Sequence, residues 1–322
     1  MSIRAAIAAA TLFLGSGAAA LEIESYRIDH FGIGSDTQTF GSLRYLGGIG
    51  VTSRDNDFGG FSGVEITEGG TRIVLVSDGG DYLTAALRHD GDALAGLDDV
   101  ALQSLFPSGE EEKQEVDAED IIFDPDDPSR GYIVRERRTA ALFSFELRDG
   151  RPENFSAIKT GLPADRLKSN RGLESVAIAP PASPIAGSVV VILEATQKSW
   201  QDVIPASIIG RGQFGIAKSD AFDISSARFL DDGDLLVLER RYSPGWGVGV
   251  RLRRIGGSSI APGAIVDGET IMEAGLAQQI DNMEGLAVHR DATGRTILTL
   301  VSDDNHSILQ RTLILQFAFD ED

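Results

Sequence analysis

"NMEGLAVHRDATGRTILTLVSDDN", residues 282–305, decides the fold. An acidic residue, Glu284, opens a short apolar run. A turn containing Asp291 and Gly294 follows, and a second run of Ile, Leu and Val ends on Asp303 and Asp304. Apolar runs of this length bounded by turn residues read as two strands of a β-hairpin with carboxylates at both open ends.

Four other segments repeat the pattern. They are "SGVEITEGGTRIVLVSD" (62–78), "EDIIFDPDDPSRGYIVRE" (119–136), "ESVAIAPPASPIAGSVVVILE" (174–194) and "SSARFLDDGDLLVLE" (225–239). The five starts are spaced 51 to 59 residues apart. A period near fifty in an all-β pattern signals radial repetition, a β-propeller. The residues between hairpins supply further strands, "ALFSFELR" and "ENFSAIKTG" after the second, "GVGVRLRRIGG" and "ETIMEAGL" after the fourth. After the last hairpin only "RTLILQFAFDED" remains, so the N-terminal "LEIESYRIDHF" (21–31) is expected to close the ring. The expectation is an all-β, single propeller of five four-stranded blades. Six is the alternative, because residues 21–61 exceed one strand and "SLRYLGGIGVTS" (42–53) can form an extra hairpin.

In a propeller the first strand of a blade lines the central channel and the second returns beside it. First-strand starts and second-strand ends therefore share one face. One ring should hold Ser62, Glu119, Glu174, Ser225 and Glu284, and a neighbouring ring Asp78, Glu136, Glu194, Glu239 and Asp303. Two carboxylates about 4 Å apart repel by roughly 1 kcal/mol in water and about 4 kcal/mol at an effective dielectric of 20. Raised pKa values, nearby arginines or a bound hard cation can relieve this. Arg135, Arg137, Arg138, Arg171, Arg240 and Arg241 are at hand, and Asp117, Asp223, Asn282, Asp304 and Asn305 add oxygens. An oxygen-only donor set suits Ca2+, with Mg2+ as the alternative, over zinc. The candidate metal ligands are thus Asp78, Glu119, Glu136, Glu174, Glu194, Glu239, Glu284 and Asp303, with Glu284 and Glu174 the candidate catalytic carboxylates. The bland alternative is a set of strand-end acids tied to loop N–H groups and arginines.

Composition narrows the partners. The chain has 322 residues, 42% of them hydrophobic, no cysteine and a formal charge of −20. Absence of cysteine excludes thiolate nucleophiles and thiolate zinc sites. The negative charge argues against nucleic acid and anionic membranes. Residues 1–20 read as a leader with Arg4, an apolar stretch and Ala18-Ala19-Ala20, cleaved after Ala20. Residues 21–322 then form one domain, a periplasmic or secreted monomer with no membrane span and a small-molecule ester, phosphoester or metal ion as its partner. "GGFSGV" around Ser62 is not G-x-S-x-G. His30, His89, His289 and His306 share no metal spacing, and "DPDDPSRG" (124–131) lacks an EF-hand's spacing.

The set "FGGFSGVEI…LVSD", "NRGLESVAIAP", "DGDLLVLERR", "NMEGLAV" and "LVSDDN…QRTLILQF" resembles an exported bacterial family, the phytase-like or "esterase-like activity of phytase" domain, over roughly residues 40 to 319. The resemblance implies a propeller and a link to phosphate-ester or carboxyl-ester hydrolysis. It also implies calcium that neutralises substrate phosphate and activates water, with a carboxylate as base. "DAED" departs from the family's acidic-Glu-Gly pattern, with Asp120 in the glycine position, so blade two is expected to contribute differently to the mouth. A non-catalytic propeller binding a metal or small polar ligand is the competing expectation.

Overall fold

The computed structural model describes residues 21–105, 117–136, 141–163, 172–196, 202–243 and 247–319. The expected leader, Arg137, Arg138 and Arg171 lie outside them. Five antiparallel sheets surround one axis, and they are the blades of a β-propeller. The innermost strands are Phe61–Thr67, Ala118–Phe123, Leu173–Ile178, Asp223–Phe229 and Asn282–Arg290, for blades one to five. Each pairs with a returning strand, Arg72–Ser77, Arg130–Arg135, Val189–Leu193, Leu235–Ser243 and Thr296–Asp303 respectively. No helix among the described residues is long and apolar enough to cross a membrane.

Local chemistry explains the hairpins. The returning strands are rich in Val, Ile and Leu, which suit a pleated surface buried on both faces. Their turns are held by carboxylates that accept main-chain N–H groups. Asp291 Oδ1 accepts from Thr293 and Arg295, and Asp124 Oδ1 from Asp126. Apolar side chains gather between neighbouring blades. One cluster joins Leu238, Val250 and Leu252 of blade four to Leu313 and Leu315 of blade five, and another joins Val76 and Tyr82 of blade one to Ile121 and Ile133 of blade two.

Closure comes from the N-terminal segment, with a different assignment of strands. Blade five runs outward from Asn282–Arg290 through Thr296–Asp303 and Thr312–Phe319 to Leu43–Ser53 and then Ile23–Ile28. The segment expected as a possible sixth blade therefore supplies the fourth strand of blade five. The segment expected to pair with the C-terminal strand lies one strand further out. Pairing of Leu43–Ser53 with Thr312–Phe319 covers the edge that the last strand would otherwise leave open.

Near the axis the inner strands crowd. A Cβ at Gly285 would lie 2.8 Å from Val64 Cγ1, and one at Gly63 2.8 Å from Asp120 Cα. Glycine is required there for close approach of blades five, one and two.

Candidate functional site: an acidic channel mouth

Every inner strand carries a β-bulge at the same height. The pairing skips Ser62, Glu119, Glu174, Ser225 and Glu284 in the five blades. An extra residue leaves the ladder and re-aims its side chain, which is how this ring forms. Counting outward from each bulge gives the second ring as Asp78, Glu136, Glu194, Arg240 and Asp303.

Seven of the eight expected ligands, Asp78, Glu119, Glu136, Glu174, Glu194, Glu284 and Asp303, line one cavity of about 160 Å³ together with Ser62, Asp117, Arg240 and Asn305. Glu239 does not. It pairs with Ile224, one place below the ring, and is fully buried. Arg251 Nε and Arg253 Nε donate to its Oε2 at 2.7 and 3.0 Å. A one-residue slip reverses the face of a strand residue, so Glu239 supports blade four and Arg240 takes the mouth position.

Among the described lining residues, eight carboxylates face one guanidinium. Arg240 lies 3.1 Å from Glu284, 3.4 Å from Glu194 and 4.0 Å from Glu174. Its Nη1 also donates to Asn282 Oδ1, while Asn282 Nδ2 donates to Glu284 Oε1 at 2.8 Å. Opposite, candidate ligand oxygens of Asp117, Glu119 and Glu136 lie within 4.8 Å of one another. Asp117 entered the sequence reading only as a supporting oxygen; it stands at a strained φ of 37°, just before the inner strand of blade two.

Crowding leaves an electrostatic signature. Burial, reinforced by Glu174, Glu284, Asp117 and Glu136, raises the Glu119 pKa well above the carboxylate range. Burial and Glu194 do the same to Glu174 against the pull of Arg240. Asp303 is pushed up to about 8 by burial and Glu284, although the Asn305 N–H, 2.6 Å from its Oδ1, opposes the shift. Asp78 is raised by burial, with His306 pulling the other way. These causes are desolvation and like charge, and an all-oxygen set of this kind fits a hard divalent cation.

The other flagged residues divide. Asp304 accepts from Gly60 N–H and Thr312 Oγ1 and holds a loop. Asp223 is paired with Lys218. Arg241 stacks over Phe222, and "DPDDPSRG" is the expected turn of the second hairpin.

Beneath the mouth a buried ion pair crosses the axis. Asp120 sits one place beyond the bulge, where blades one and five have Gly63 and Gly285. Its Oδ2 and Oδ1 accept from Arg228 Nη1 and Nη2 at 2.8 and 2.7 Å. Arg228 also donates to the carbonyls of Val64, Ile121, Val176 and Ala227, tying inner strands of four blades. Glu119 still lines the mouth, so the departure from glycine adds a plug below it. No local sequence signal pairs residues 108 positions apart.

No curated protein matches the sequence. Solved structures do. The Cps50 (Swd1) β-propeller domain of Myceliophteria thermophila is 8% identical over 87% of this chain and 93% of that chain, with a TM-score of 0.42. A putative oxidoreductase (glucose dehydrogenase) from Thermus thermophilus is 14% identical over 92% of this chain and 99% of that chain, with a TM-score of 0.38. Residues 56–306, most of the chain, match the family described as "Phytase-like: Esterase-like activity of phytase", and the chain belongs to that family.

Proposed function

We propose that the mouth is a divalent-cation site, for Ca2+ with Mg2+ as the alternative, and the hydrolytic centre for phosphate or carboxyl esters. The observation that carries this reading is the convergence of eight carboxylate side chains on a single cavity. Asp117, Glu119 and Glu136 would hold the cation, with Glu174, Glu194, Glu284, Asp78 and Asp303 as further oxygens in reach of the same space. The cation would supply Lewis-acid polarisation and an activated water.

The chain's own groups have separable tasks. Glu284, oriented by Asn282 and Arg240, is the candidate general base. Glu174, whose pKa burial and Glu194 raise well above the carboxylate range, is the candidate acid toward a leaving oxygen. Arg240 offers donors to an anionic substrate oxygen. The Arg228–Asp120 pair lies across the axis beneath the mouth, which favours entry and exit of substrate at the mouth face. Cleavage after Ala20 and export as a monomer belong to the same proposal.

A cavity of about 160 Å³ is smaller than the ~300–1,000 Å³ usual for small-molecule pockets. That observation favours a second reading, a propeller that holds an ion without turnover. Calorimetric titration of Ca2+ into the mature protein, followed by a phosphoester and carboxylester panel with and without chelator, separates the two. The hydrolase reading requires turnover that falls on chelation and in Glu284→Gln. Heat of calcium binding with no turnover on any ester supports the second reading, and neither signal leaves only structural strand-end acids.

A further inference from the structure

The cavity is small and polar, so most of any organic ester must rest outside it. The rim is not uniform. Among the described residues seven large hydrophobic side chains are exposed, and four of them stand around the open face of blades four and five. Tyr242 is 76% exposed, Leu276 66%, Ile308 101% and Leu309 87%.

Three connected segments carry them. Arg240 pairs with Val250 and Tyr242 with Val248 on the same hairpin. Alternate strand residues share a face, so Tyr242 stands one step above Arg240, on the side where Val248 packs toward blade five. Leu276 lies against the tip of this hairpin, its Cδ2 2.7 Å from where a Cβ on Gly247 would be. Ile308 and Leu309 crest the loop that begins at the cavity-lining Asn305, and turns from Ser307 to Asp304 and from Gln310 to Ser307 hold that crest. Arg311 braces the loop against Gln279, Ile280 and Asp281, in the segment that carries Leu276.

Exposed apolar side chains scattered singly are ordinary, but a group beside a polar cavity marks a surface with something to cover it. Tyrosine is suited to such a rim, with a flat apolar body and a polar tip. We propose that this rim holds the apolar part of the substrate, so that the mouth acts on esters or phosphoesters of a hydrocarbon chain or ring. The inference rests on the proposed reading of the mouth and names its substrate class. The reacting ester group enters among the carboxylates beside Arg240 and Asn305, while its hydrocarbon lies across Tyr242 and the Ile308–Leu309 crest.

The test compares methyl, butyl and octyl phosphate by calorimetry with the mature protein in calcium-containing buffer. Each fully covered methylene is worth about fourfold in affinity. Octyl phosphate is therefore expected to bind at least about tenfold tighter than methyl phosphate. In Tyr242→Ser, and in Ile308→Ser combined with Leu309→Ser, that ratio should fall toward one while calcium binding still reports an intact fold. Tyr26→Ser, an exposed aromatic on the outermost strand of blade five, should keep the ratio. Methyl phosphate binding without any gain for octyl overturns the apolar rim and leaves the mouth reading standing. A chain-length gain unchanged in both rim variants overturns it equally. No binding of any phosphate overturns the rim proposal together with the phosphoester arm of the mouth reading.

Discussion

The mouth and the plug beneath it are built from the same residue types and are opposites in their accounting. In the plug one carboxylate meets one guanidinium through two hydrogen bonds, and four carbonyls take up further Arg228 donation. Under blade four, Glu239 is shared by Arg251 and Arg253. In the mouth, Arg240 reaches Glu174, Glu194 and Glu284, three of the eight carboxylates among the described lining residues. Burial of acids is common to all three places. A structural network meets each buried acid with opposite charge and hydrogen bonds, whereas a candidate site gathers acids around a cavity that a ligand can enter.

Breaking the plug should have the largest effect. Arg228→Met leaves Asp120 buried and without its cation, and breaking a buried pair from one side costs about 3–5 kcal/mol. Urea unfolding should show that loss. Adding Asp120→Ser, the residue found at the equivalent places Ser175 and Ser226, should restore much of it. A loss under about 1 kcal/mol for Arg228→Met would mean the plug is not structural.

The next effect tests the comparison by sign. Glu239→Gln removes the charge that two buried arginines face, and hydrogen bonds to charged groups are worth about 1.5–3 kcal/mol. The variant should be destabilised by about 2 kcal/mol with calcium binding retained. Glu119→Gln should stabilise the calcium-free protein by about 1 kcal/mol, because the amide is neutral without the proton uptake that burial forces on the carboxyl, and weaken calcium binding. If both substitutions shift the urea midpoint the same way, the two regions are not different in kind.

That Glu239 and Arg240 exchange roles marks the limit of what the sequence discloses. Five hairpins, their order and the closing of the ring are legible because turn residues and alternating apolar runs are local. The ring of bulged residues was also legible, since each stands at the start of an inner strand. Register on the returning strand was not. Turn lengths differ between hairpins, so matching Glu239 to Glu194 by residue type slips the strand by one and reverses its face. Asp120 stood out as a departure, but its partner Arg228 belongs to another blade, and only the folded ring joins them. "SLRYLGGIGVTS" was ambiguous for the same reason, because its partner strand begins at Thr312.

Titration sharpens the contrast further. Asp303 holds its proton up to about pH 8 in the folded chain, whereas an unfolded aspartate loses it near 4. Between these values the folded state binds more protons than the unfolded state, so stability falls as pH rises. Glu119, Glu174 and Asp78 act in the same direction. The calcium-free protein should lose at least about 1 kcal/mol per pH unit between pH 5 and 8, the worth of the Asp303 proton alone. Saturating calcium should flatten the slope. Urea midpoints that rise over this window without calcium would contradict the placement of protons in the mouth.

The smallest effect concerns Arg240, the one guanidinium among the described lining residues. Arg240 repels a divalent ion in the cavity and attracts an anionic substrate oxygen. At about 7 Å in water-like surroundings, the repulsion from a divalent ion is roughly 1 kcal/mol. Arg240→Gln should therefore tighten calcium binding about fivefold and weaken binding of methyl phosphate by a similar factor, both read by calorimetry. The opposed signs carry the information, because a variant that had merely lost its fold would bind both ligands worse. Arg240→Lys should restore the calcium affinity of the parent more fully than its phosphate affinity, since lysine keeps the charge and loses the planar fork of donors. Equal weakening of both ligands in Arg240→Gln would return this arginine to the class of Arg228, a structural partner of Glu284 and Glu194.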